Sequence, residues 1–114
     1  MNKNHPKSEK ILALIARRFR LLGEPFRLRL LQELEDGELT VGELVFKLDG
    51  NQSNVSKHLQ MLHQAGFVSR RREGNSVYYG IADTFVMKLC DLVCKNTVQH
   101  AEDDLHDLRR YSKD

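Results

Sequence analysis

Apolar residues recur at spacings of three and four along most of this chain and switch to alternation only between residues 67 and 81. Helices and one β-hairpin produce these two periods. Ile11, Leu12, Ile15, Phe19 and Leu22 follow helical spacing, with Ser8 placed as N-cap and Gly23 as the stop. Pro25 suits the first turn of a second helix, where its missing N–H costs nothing, and Phe26, Leu28, Leu30, Leu31 and Leu34 carry that helix to Asp36-Gly37. Thr40 with Glu43 three residues later spells a capping box for a short third helix that turns Val41, Leu44, Val45 and Leu48 inward. Asp49-Gly50-Asn51 has turn chemistry, and a fourth helix then starts at Gln52 or Ser53, with Val55, Leu59 and Leu62 on one face and Gly66 at its end. Phe67-Val68 and Val77-Tyr78-Tyr79 are β-prone runs on either side of Arg72-Glu73-Gly74-Asn75, the pattern of a hairpin. A last helix begins after Ala82-Asp83 and runs to about Tyr111, with Asn96 the place where it can break.

The predicted fold is mainly α with a small β-hairpin, in the order α-α-α-α-β-β-α. This is a winged helix-turn-helix, with the helix-turn-helix over about 40–65, the wing over about 67–81 and the long helix over about 83–111. Residues 1–114 read as a single domain, with about seven polar residues at the start expected to fray. A composition of 40% hydrophobic and 30% charged residues fits a soluble globular chain. No apolar run approaches the roughly 20 residues needed to span a bilayer, and residues 1–10 lack the apolar stretch of a signal peptide, so a cytoplasmic location is expected.

The net charge of +2 is small, but its distribution is uneven. Between residues 51 and 80 Lys57, Arg70, Arg71 and Arg72 face Glu73 alone, whereas residues 99–108 hold Glu102, Asp103, Asp104 and Asp107 with no cation. A recognition helix entering a major groove about 12 Å wide needs an outer face of hydrogen-bonding side chains. The fourth helix offers Gln52, Ser53, Asn54, Ser56, Lys57 and Gln60, and no carboxylate interrupts the chain between Asp49 and Glu73. The wing adds Arg70, Arg71 and Arg72, with Asn75 at its turn. A polar helix face or an arginine run is by itself ordinary surface, and it is their order within 35 residues that points to duplex DNA. His58, beside Leu59, is read as a packing or local capping residue and His63 as surface. The competing readings are a winged helix that binds a protein and a DNA-binding regulator with no inducer. An enzyme is not expected, because there is no phosphate-cradling glycine loop, histidine-glutamate metal motif or nucleophile elbow.

The runs Leu22-Gly23-Glu24-Pro25-Phe26-Arg27-Leu28-Arg29-Leu30-Leu31, Leu39-Thr40-Val41-Gly42-Glu43-Leu44, Gln52-Ser53-Asn54-Val55-Ser56-Lys57-His58-Leu59, Ala65-Gly66-Phe67-Val68 and Gly74-Asn75-Ser76-Val77-Tyr78-Tyr79 together resemble the ArsR family of bacterial repressors. The likeness covers about residues 8 to 98. It implies a homodimer built on the first and last helices, DNA contact through the fourth helix and wing, and repression released by an inducer. Gln52, Ser53, Ser56 and Lys57 match family positions that meet DNA. The sensing positions differ. Thr40-Val41-Gly42 stands where arsenic and cadmium sensors carry Cys-Val-Cys, and Phe85, Asn96 and Gln99 stand where zinc and nickel sensors place ligands. The second helix also lacks the cysteine that sulfide sensors use.

Cys90 and Cys94 are left as the candidate sensor. One helical turn apart, they put both sulfurs on one side of the last helix. Two thiolates could hold a soft ion such as arsenite, cadmium or zinc, with a third ligand from His100, Glu102 or the partner subunit. Oxidation is the alternative, although a direct disulfide needs Cβ atoms about 3.8 Å apart and this spacing gives about 5–6 Å. A third reading makes both cysteines small hydrophobes in a dimer seam with Met87, Thr97, Ala101, Leu105 and Leu108. No cofactor follows with certainty from the sequence. The expected partners are double-stranded DNA with an inverted-repeat operator and a second copy of the chain.

Overall fold

The computed structural model describes residues 8–112, with side chains through Arg110; the fraying expected of residues 1–7 lies outside that range. The chain forms two compact units, one ending at Ala82 and one beginning at Asp83.

The first unit opens with α1 (Glu9–Leu22), where Ser8 accepts a hydrogen bond from the Ile11 amide (3.3 Å) and Gly23 closes the helix on the Arg20 carbonyl. The helix is amphipathic yet buries no residue; Ile11, Leu12, Leu14 and Phe19 are each about half exposed. Helix α2 (Pro25–Leu34) has Pro25 in its first turn, uses Glu24 as its cap and buries Leu30, Leu31 and Leu34. Helix α3 (Val41–Leu48) carries the expected capping box: Thr40 Oγ1 accepts from the Glu43 amide (3.1 Å), and Glu43 accepts from the Thr40 amide (2.9 Å). Asp49 ends α3 in the left-handed region at φ 51°. Asn51 then caps α4 (Gln52–Gln64) by accepting from the Asn54 amide at 2.8 Å. A Cβ on Gly50 would stand 3.3 Å from Val55 Cγ2 and 3.4 Å from the Phe26 ring, so a side chain in this turn would make those neighbours give by a few tenths of an ångström.

Val55, Leu59 and Leu62 of α4 are fully buried and form one core with Leu44 and Leu48 of α3 and Leu30, Leu31 and Leu34 of α2. Full burial of each such side chain stabilises the fold by roughly 1.5–3 kcal/mol. Phe67 and Val68 extend the core into the sheet. Strands β2 (Val68–Glu73) and β3 (Ser76–Ile81) pair antiparallel in the register Arg70↔Tyr79, Arg71↔Tyr78 and Arg72↔Val77. Gly74 takes φ 59° and Asn75 does not, as a two-residue type II′ turn requires. The Ala82 amide donates to the Phe67 carbonyl (3.1 Å) and ties off the base of the hairpin.

The expected order lacks one element. Leu39–Thr40 forms a further strand, β1, paired antiparallel with β3 through Leu39↔Tyr79 and Thr40↔Tyr78, so the sheet has three strands in the order β1-β3-β2. Two residues cannot show an alternation, and Thr40 is also the cap of α3, which is the stronger signal at that position.

The second unit is α5 (Thr84–Ser112), a helix of 29 residues and so about 43 Å long. It runs through Asn96 without a break. Every residue from Asp91 to Arg110 is exposed, including Leu92, Val93, Val98, Leu105 and Leu108. No helix among the described residues is long and apolar enough to cross a membrane.

Candidate nucleic-acid interface

Helix α4 is fixed by its buried stripe, and the rest of its surface follows from the 100° step between residues. Ser53, Lys57 and Gln60 stand farthest from Val55, Leu59 and Leu62, with Gln52 and Ser56 on one flank and Asn54 on the other. Ser56 is half-buried and the others are exposed. Because Asn51 is the cap, Gln52, Ser53 and Asn54 form the first turn, where backbone amides lack helical acceptors and the helix carries partial positive charge.

The wing separates its arginines. Successive side chains on a strand point to opposite faces, so Arg70 and Arg72 share the face of Val68 and Tyr79, and Arg71 lies on the other. All three are exposed, but Arg71 is engaged. Its guanidinium donates to both Glu38 oxygens at 3.0–3.2 Å, pairs with Glu73 and lies 4.7 Å from the centre of the Tyr78 ring. Those carboxylates push the Arg71 pKa above its already high ordinary value. Asn75 is exposed at the hairpin tip.

Behind α4, Arg27 of α2 joins three elements. Its Nε donates to His58 Nδ1 (3.0 Å), Nη1 to the Leu21 carbonyl (3.1 Å) and Nη2 to the Met61 sulfur (3.6 Å). The His58 ring also packs against Phe26, with ring centres 5.3 Å apart. Burial, and then the charge of Arg27, push the His58 pKa below its ordinary 6.5. His58 is thus the packing residue expected of it. The Arg27–His58 and Arg71–Glu38 contacts span 31 and 33 residues of sequence, and no local spacing signals either.

Cys90 is a half-buried free thiol and Cys94 an exposed one, both on α5. Burial, then the charge of Asp91, push the Cys90 thiol up. Among the described residues no three His, Cys, Asp or Glu side chains gather as metal ligands.

Two short helices joined at a tight turn, the second presenting a carboxylate-free polar face beside a basic β-hairpin, define a winged helix-turn-helix domain. Residues 24–70 match the bacterial regulatory protein, arsR family. The chain is 37% identical over 86 residues to the biofilm growth-associated repressor of Agrobacterium fabrum, covering 75% of this chain and 74% of that one. It is 43% identical over 74 residues to a probable mercury resistance operon repressor of Streptomyces lividans, covering 65% and 59%. The solution structure of Mb0332 from Mycobacterium bovis, described as a homodimeric winged helix-turn-helix DNA-binding domain, superposes with a TM-score of 0.75 at 32% identity, over 88% of this chain and 93% of that one. The chain belongs to the arsR family of bacterial transcriptional regulators.

Proposed function

We propose that the protein is a cytoplasmic transcriptional repressor that binds an inverted-repeat operator as a homodimer. Helix α4 enters the major groove, with Gln52, Ser53, Asn54, Ser56 and Lys57 at the bases and adjacent phosphates. The wing reaches the flanking backbone with Arg70, Arg72 and Asn75, while Arg71 shapes the hairpin from its other face. The observation that carries this reading is the exposed polar face of α4, free of carboxylates and set beside a basic hairpin. Two such helices about 34 Å apart, one turn of DNA, would meet two half-sites on the same side of the duplex. The homodimeric Mycobacterium bovis domain supports the two-copy arrangement.

Release of repression is assigned to a thiol-directed signal at Cys90 and Cys94, a reading supported by the likeness to a mercury resistance repressor. A metal or metalloid held there would need a further donor from the second copy. Gel shifts of the chain's own promoter region at low and moderate salt test the DNA reading. Binding no tighter than to random duplex would defeat it. The same assay on the wild type and a Cys90→Ser, Cys94→Ser double variant, with and without arsenite, cadmium, peroxide or polysulfide, tests the signal. The wild type should weaken by a coupling of about 1–3 kcal/mol and the variant should not. Full wild-type affinity under every treatment would leave the cysteines as packing alone.

A further inference from the structure

At the end of α1, the start of α2 and the end of α4, Arg17, Arg20, Leu21, Arg27, Met61 and Gln64 line a cleft of about 420 Å³. The lining holds three guanidiniums and one amide, and no carboxylate. Cations sharing one space repel each other, and a bound anion turns that repulsion into attraction. The volume lies within the roughly 300–1,000 Å³ of small-molecule sites.

Arg27 is already oriented for such a ligand. Its bonds to His58, the Leu21 carbonyl and Met61 fix the guanidinium plane and use one N–H on each nitrogen. Each terminal nitrogen keeps a second N–H, and a carboxylate oxygen can accept from it. Arg17 and Arg20, three apart on α1, lie on one side of that helix, about a third of a turn or more from Ile11 and Ile15. Leu21 and Met61 give the cleft an apolar wall.

We infer that this cleft binds a small organic carboxylate, the acid group held by Arg17, Arg20 and Arg27 and the apolar body lying against Leu21 and Met61. Inorganic phosphate would satisfy only the guanidiniums, and a neutral alcohol only the wall. The cleft lies beyond the proposed base-contacting turns of α4, since Met61 and Gln64 stand four and seven residues, about 6 and 10 Å, past Lys57. It is nonetheless connected to that helix, because Arg27 also bonds His58, next to Lys57. A carboxylate drawing on Arg27 would thus be felt in α4, a consequence that rests on the DNA-reading role proposed above.

Thermal melting of the full chain with benzoate, benzyl alcohol or inorganic phosphate at constant ionic strength tests the site. Benzoate should raise the wild-type Tm saturably, more than phosphate at equal concentration, and benzyl alcohol should leave it unchanged. An Arg17→Gln, Arg20→Gln double variant should bind benzoate about ten-fold more weakly, the loss expected on removing a charge-assisted contact. Should that variant melt abnormally without ligand, Met61→Gln serves instead and should weaken benzoate while sparing phosphate. No saturable benzoate shift, equal benzoate affinity in wild type and a normally melting double variant, or an equal response to benzyl alcohol would overturn the assignment. The melting assay contains no DNA, so failure of the cleft assignment is distinguishable from failure of the DNA-binding proposal, which the operator gel shifts read.

Discussion

Three consecutive arginines with unequal surroundings separate positioning from phosphate contact. Arg70 and Arg72 share one strand face, whereas Arg71 is occupied by Glu38, Glu73 and Tyr78. Replacing Arg70 or Arg72 with Ala should reduce the salt dependence of log K by about 0.9 for each phosphate no longer neutralised, and Arg71→Ala should change it less; affinity measured across a salt series decides. Lys57→Ala or Gln52→Ala should instead cut the preference for operator over random DNA by about 1–3 kcal/mol, read from paired titrations. Unchanged discrimination would move the recognition helix elsewhere. His58 gives a pH dependence. Its pKa is lower folded than unfolded, so its contribution to stability is fully present above the unfolded value of about 6.5 and is lost as pH falls toward the folded one. Protonation also removes the Nδ1 lone pair that accepts from Arg27. Melts between pH 5 and 8 should show Tm declining below about pH 6.5, and His58→Gln should flatten that decline.

Among the elements, α4 was legible because Val55, Leu59 and Leu62 mark one face of a helix bounded by Asn51 and Gly66, and the same residues prove fully buried. Leu59→Ala should therefore cost about 2–5 kcal/mol in denaturant unfolding, while Thr40→Ala, which removes half of a capping box, should cost about 1 kcal/mol. The capping box itself could be read from two residue types three apart. Strand β1 could not, since two residues hold too little pattern and its pairing with β3 depends on residues nearly forty positions away. The wing was legible as a hairpin, and so was the alternation of its arginines, but not the reach of Arg71 to Glu38. The polar face of α4 could likewise be read from spacing. The Arg27 brace behind it and the cleft it borders could not, because they join three helices that only the folded chain brings together. Asn96, an ordinary residue in a long exposed helix, proved too weak a signal to break it.

At the scale of the molecule, two helices carry apolar side chains that stand exposed among the described residues: Ile11, Leu12 and Phe19 on α1, and Leu105 and Leu108 on α5. Under the homodimer proposal these are the surfaces a second copy buries. A Leu105→Glu, Leu108→Glu variant should then shift from dimeric toward monomeric mass in sedimentation at micromolar concentration and lose operator affinity with it. A monomeric wild type that still binds its operator would remove the seam. The uncovered face of α1 has a further thermodynamic consequence. If its stability is borrowed from a second chain, unfolding is also dissociation, and mass action makes the melting temperature climb with protein concentration. The number of copies in a cell would then set how much of the regulator is folded as well as how much of its operator is occupied.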